Sequence, residues 1–115
     1  MERVCFVFEL NPGCEESYDD AHRDVWPEEL TLLDDAGVYD YSIFRNGTML
    51  YAFLKVRDDW ETASRIVGAS EVQARWEELM APFVAWQKDE NGQLCLAREV
   101  FRHEGDGPSS RDLVG

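Results

Sequence analysis

The chain has 115 residues, 44% of them apolar and 12% aromatic, enough for one domain with one core and too apolar for wholesale disorder. Its formal charge of −13, from 24 acidic against 11 basic side chains, repels phosphate backbones and anionic lipid, so nucleic-acid and membrane partners are disfavoured and a neutral ligand fits best. Cys5, Cys14 and Cys95 lack any CxxC or metal-like spacing, and neither a signal-peptide pattern nor a bilayer-length apolar run is present, which points to reduced thiols and a cytoplasmic protein.

Residues 3–10, RVCFVFEL, place apolar residues on both alternating sets and predict a strand buried on two faces. Asn11, Pro12 and Gly13 end it. A helical pattern then begins near Cys14 and Glu15, acidic in its first turn, and runs to Gly37, a good residue to follow a helix end. Tyr18, His22, Val25, Trp26, Leu30 and Leu33 fall on one side of it. Pro27 has no N–H and clashes with the preceding turn, so a kink or restart is expected at Trp26, with Pro27 opening the second half.

Residues 38–45 and 48–56 are extended runs joined through Asn46-Gly47, a strong signal for an antiparallel hairpin because both residues tolerate positive φ. Asp58 and Asp59 can cap a short helix over 60–67, and Ser70 with Gln73 resembles a capping box for another over 71–82. Residues 93–102, QLCLAREVFR, predict a last strand. The domain thus spans 1–103, and the Gly/Pro-rich residues 104–115 are expected to be disordered. This order is the split βαβ arrangement of an α+β, ferredoxin-like fold, an antiparallel sheet with helices on one face. The first strand and the hairpin are apolar on both sides, so the open face needs a cover. A homodimer packed sheet to sheet supplies one; a pocket roofed by loops is the alternative.

Histidine is the side chain whose unperturbed pKa lies near neutrality, and His22 is the histidine that falls inside a predicted element. Tyr18 precedes it by one helical turn and Trp26 follows by one, so an acid-base group, a phenol and an aromatic plate share a face. That combination suits a sugar, which needs an aromatic plane against its C–H surface and polar tips at its hydroxyls. The same stripe is equally the buried side of an amphipathic helix, so spacing alone leaves core and site open. A metal is not expected, since no second His or carboxylate stands at ligand spacing. Tyr41 shares a face with Tyr39 and Ile43 by period-two alternation, as pocket wall or sheet packing. Trp76, beside Glu77, is more often core than ligand plate, and Trp60 and Trp86 read as structural. The pairs Asp19/Asp20 and Asp34/Asp35 read as solvated faces, because adjacent helical residues point apart.

At Asn11-Pro12, Tyr18, His22, Trp26-Pro27-Glu28, Gly37, Tyr41, Arg75-Trp76 and Glu99-Val100-Phe101, over residues 3 to about 102, the chain resembles the L-rhamnose mutarotase family. The resemblance implies a dimeric α+β barrel and cofactor-free interconversion of sugar anomers. It also implies that His22 is the proton donor, with Tyr18, Tyr41 and Trp76 contacting sugar and Trp26 shaping the wall. Two departures stand out. Glu77 occupies a position where the family commonly carries a second tryptophan, which replaces a stacking plate by a charged acceptor. The Asn46-Gly47 hairpin is also tighter than the family's. In the expected reaction His22 shuttles a proton at the ring or anomeric oxygen of L-rhamnose or a related deoxyhexose, and Tyr18 orients a hydroxyl or relays the second proton. Two rivals share the fold: a cofactor-free monooxygenase, and a non-catalytic dimeric binding protein with His22 buried and remote from any cavity.

Overall fold

Alternation along β1, Glu2–Leu10, sets the architecture: Val4, Phe6, Phe8 and Leu10 are buried while Cys5 and Val7 are only half-buried. The predicted two-sided burial of this strand is therefore met on one side, because no helix among the described residues packs on the other. The computed structural model describes residues 1–107. In that span the order is β1, α1 (Glu15–Ala21), α2 (Pro27–Asp35), β2 (Val38–Asn46), β3 (Met49–Val56), α3 (Trp60–Gly68), α4 (Glu71–Met80), β4 (Val84–Trp86) and β5 (Cys95–Ala97). The strands form one antiparallel sheet in the order β2-β3-β1-β4, with β5 also on β1. This is the ferredoxin-like arrangement expected. Opposite β1, the buried Phe6, Phe8 and Val4 meet Ala52, Leu50 and Leu54 of β3, and each fully buried Leu or Val contributes roughly 1.5–3 kcal/mol.

The first helical stretch divides where proline requires. Trp26, extended at φ −56 and ψ 134, caps α2, and Pro27 takes its first turn. The interruption is longer than a kink: α1 ends at Ala21 with His22 as its C-cap, so the stripe read as one long helix spans two short ones. Gly37 follows α2 at φ +83, where a side chain would be strained.

The hairpin turns one residue later than expected. Asn46 still pairs with Met49, leaving Gly47 and Thr48 as the turn, and Gly47 alone takes positive φ (+64). That sign pattern is a II′ turn with glycine at its first central position. Asp59 caps α3, accepting from the Thr62 backbone N–H at 2.7 Å. Ser70 caps α4 through the Val72 N–H at 3.1 Å, but Gln73 does not close the box; it turns toward α2.

The last strand departs most from expectation. Only Cys95–Ala97 of residues 93–102 pairs with β1, over Cys5–Val7, while the unpredicted β4 pairs with Glu9 and Leu10 further along the same edge. Two short segments thus share one edge. Beyond β5 the chain leaves the sheet, and Val100 and Phe101 are 87% and 82% exposed. Of the tail expected to be disordered, residues 104–107 hold a turn and no helix or strand; residues 108–115 lie outside the described residues. No helix among the described residues is long and apolar enough to cross a membrane.

Candidate active site

Between the helices and the covered face of the sheet lies a cavity of about 710 Å³, lined by Tyr18, His22, Glu29, Tyr41, Trp76 and Glu77 among others. Its floor includes Phe6, Phe8, Leu50 and Leu54, which belong to the helix-covered side. The pocket is thus not the one that loops over the open face would roof.

Tyr18 comes from α1, and its ring stacks on His22 at 4.2 Å between centroids and meets Phe8 edge-on at 6.2 Å. Because α1 ends there, His22 Nδ1 lies 2.9 Å from the Tyr18 carbonyl oxygen. A carbonyl only accepts, so Nδ1 carries the proton and donates, and Nε2 of the neutral ring is left as the free acceptor. Trp76, rooted in α4, stands edge-on to His22 at 5.3 Å and to Trp26 at 5.1 Å. Trp26 therefore joins the cluster through Trp76 from the cap of α2, rather than by stacking one helical turn above His22. The stripe is at once core and cavity wall: Tyr18, Val25 and Leu33 pack in or against the buried cluster and line the cavity with His22 and Trp76, whereas Trp26 packs against the core without lining the cavity.

Tyr41 reaches the site by an irregularity in β2. Tyr39 pairs with Lys55 and Ser42 with Phe53, so one extra residue is inserted between them. Asp40, at φ +52, absorbs it and pairs with Lys55 at 3.0 Å. The bulge corrects the expectation that Tyr39, Tyr41 and Ile43 share a face. Tyr39 now lies opposite Lys55, whereas Ile43 lies opposite the buried Ala52. Tyr41 and Ile43 line the cavity together and Tyr39 does not. Burial raises the Tyr41 phenol well above its ordinary pKa, and the nearby Glu29 carboxylate adds to that. The Tyr18 phenol is raised likewise, first by burial, then by Tyr41 and Asp19. Both phenols stay protonated at any working pH and serve as hydrogen-bonding groups.

The sequence reading missed three contributors. Glu29 is the one polar or charged residue buried among the described residues, at 5% exposure. Burial raises its carboxyl pKa, and Glu77 raises it further. Its spacing from His22, two helical turns, put it in register with the stripe, but its neighbour Glu28 made it look like ordinary first-turn acid. Gln73 lies beside it. Asp19, read as solvated, instead receives two hydrogen bonds from Arg45, at 2.9 and 2.6 Å, and that bonding holds its carboxyl below the usual range. The pair ties α1 to β2 at the cavity wall. Asp20, by contrast, pairs only with Arg23 on the surface. Trp86 donates to Glu9 at 2.8 Å away from the cavity, whereas Trp60, read as structural, packs on Phe6 at 6.3 Å and also lines the cavity. No cluster of three His, Cys, Asp or Glu groups suited to a metal occurs among the described residues.

The family model for L-rhamnose mutarotase matches residues 3–103. L-rhamnose mutarotases of Phocaeicola vulgatus and Formosa agariphila are each 34% identical to the chain, over 88% and 90% of it and 97% and 100% of their own lengths. The crystal structure of the Formosa agariphila enzyme superposes with a TM-score of 0.73 at 32% identity, covering 90% of this chain and all of that one. Tetracenomycin F2 cyclase of Streptomyces glaucescens, 18% identical with a TM-score of 0.59 over 91% of this chain and 99% of its own, shares the fold. With a Tyr, His and Trp cavity in place and the match running through nearly the whole domain, the chain belongs to the L-rhamnose mutarotase family of isomerases.

Proposed function

We propose that this protein interconverts the α and β anomers of L-rhamnose or a related deoxyhexose, with His22 as its acid-base group. The observation that carries the reading is His22 itself: its Nδ1–H is tied to the Tyr18 carbonyl, and the ring lies on a cavity large enough for a monosaccharide. The rival in which His22 is only core, remote from any cavity, is disfavoured by this placement.

Mutarotation opens the ring by moving one proton off the anomeric hydroxyl and one onto the ring oxygen. The carbonyl then turns its other face and the ring closes. His22 Nε2 takes the anomeric proton and returns it on closure, general acid-base help of this kind contributing about 10²- to 10⁴-fold. Tyr18 and Tyr41, held as neutral phenols, hydrogen-bond sugar hydroxyls. Trp76 sets the apolar wall with Trp26 packed against it, and Glu77, exposed on α4, accepts from a hydroxyl where a second tryptophan would stack. The chain's excess negative charge favours a neutral substrate over an anionic one, and the reaction needs no cofactor.

A homodimer in the cytoplasm is the setting we propose. Phe44 and Tyr51, opposite one another on the bare sheet face, are 63% and 39% exposed, and Val100 and Phe101 project beyond β5. Such a patch is what a second copy covers. Saturation-transfer NMR between the anomers of L-rhamnose tests the catalytic reading: exchange is faster with the protein and loses that gain in His22→Ala. No acceleration with any aldose tried, or an unaffected variant, refutes it.

A further inference from the structure

The buried carboxyl of Glu29 has no part in the reaction as described, yet it enters the same cavity as His22. Carboxylates are rarely buried without a cation, and no Lys or Arg pairs with Glu29 among the described residues. Near it stand Gln73 and Glu77 from α4 and Tyr41 from β2, and Tyr18 of α1 and His22 at that helix's C-cap line the same cavity. The Asp19–Arg45 pair and Lys88, beyond β4, are further charged groups on the cavity wall.

The Gln73 amide lies between two carboxyls. One end is 2.5 and 3.1 Å from the Glu29 oxygens, and the other is 3.4 Å from Glu77 Oε1. An amide has one donor end and one acceptor end, so whichever way it turns, one carboxyl receives its N–H and the other faces its carbonyl oxygen. Glu77 is exposed and solvated whichever end it meets, but the buried Glu29, when it faces that oxygen, is satisfied only by carrying a proton. Turned one way, the Gln73 N–H donates to the Glu29 oxygens; turned the other, it donates to Glu77 and Glu29 carries the proton, an O–H···O contact that the 2.5 Å separation suits. Burial of Glu29 and the charge of Glu77 act in the same direction.

We propose that Glu29 is the second acid-base group of this site, its carboxylic acid protonating the sugar's ring oxygen while His22 Nε2 takes the anomeric proton. The proposal rests on the mutarotase reading. As the bond between the anomeric carbon and the ring oxygen breaks, the anomeric carbonyl forms, Glu29 becomes the carboxylate and His22 the imidazolium. On reclosure from the other face of the carbonyl the ring-oxygen proton returns to Glu29 and the His22 proton to the anomeric oxygen. No net charge or proton is left behind. Gln73 is a positioning residue whose amide orients the acid, and Glu77, besides its contact to the sugar, keeps the acid protonated through its charge.

The test compares wild type, Glu29→Gln, Glu77→Gln and His22→Ala by anomer exchange across pH. Glu29→Gln is expected to lose about 100-fold or more in rate together with the alkaline limb of the pH–rate profile. Glu77→Gln retains that limb but moves it to lower pH, because Glu29 then ionises more easily, an effect that a merely structural Glu29 would not produce. If Glu29→Gln fails to fold by circular dichroism, the limb shift in Glu77→Gln and the infrared carbonyl band of a protonated carboxyl at neutral pH decide instead. An active, unshifted Glu29→Gln, or a Glu77→Gln profile identical to wild type, overturns the role of Glu29 while leaving the mutarotase reading intact. A wild type inactive on every sugar overturns both.

Discussion

The two faces of the sheet are built from the same strands, and both alternating sets of β1 and β3 carry large apolar residues, one set almost throughout and the other interspersed with Arg3, Glu9 and Lys55, yet their fates differ. On one face Phe6, Phe8, Leu50, Ala52 and Leu54 lie under the helices. On the other, Cys5, Val7 and Phe53 stay half-buried, and Phe44 and Tyr51 stay exposed. The covered face is also not filled to the top: it leaves the cavity into which Tyr18, His22, Glu29 and Trp76 project. Apolarity in sequence therefore marks a need for burial without saying what supplies it. Within the chain that need is met on one side, and the hole left there is the site.

His22→Ala is expected to lower the anomer exchange rate by about 10²- to 10⁴-fold while leaving the thermal midpoint nearly unchanged, since the ring is half-buried at a helix end; a variant that instead unfolds would show His22 to be core. A large contrast is also expected between faces. Leu50→Ala, fully buried, should cost about 2–5 kcal/mol by urea denaturation. Phe44→Ala, at 63% exposure, should stay within about 0.5 kcal/mol for a monomer, and Phe44→Asp should convert a sedimenting dimer to monomer. A monomeric wild type would remove the proposed cover. Gly47→Ala puts a side chain at φ +64 and should cost roughly 1–2 kcal/mol in the same denaturation assay.

The smallest effect sharpens the chemistry of the covered face. Glu29 has a raised pKa in the folded chain, so the folded state holds its proton more tightly than the unfolded one. Its contribution to stability is fully present below the unfolded pKa and is lost as pH rises through the folded pKa. Glu29→Gln removes that loss, so its thermal midpoint should gain on wild type as pH rises through that window. A gap between the two that does not change with pH would place the Glu29 carboxyl in water.

The elements were legible where the signal is local. Pro27 had to open a helix because it lacks an N–H, Asp59 and Ser70 cap because their oxygens reach nearby N–H groups, and Gly47 marks a turn because it tolerates positive φ. The Tyr18-His22 pair was legible too, being one helical turn apart. Gln73 illustrates the limit: its offset from Ser70 suits a capping box, yet a partner on α2 competes for it.

Sequence by itself thus determined the strand and helix inventory up to α4, the antiparallel hairpin and the residue types that can hold a sugar. Tertiary structure alone decided the bulge at Asp40 that places Tyr41 in the cavity, the sharing of one β1 edge by β4 and β5, and the burial of Glu29. Each of these depends on partners distant along the chain. A hydrogen-bond register, a sheet edge or a buried carboxyl is set by what packs against it, and no periodicity in the residues themselves encodes that neighbour.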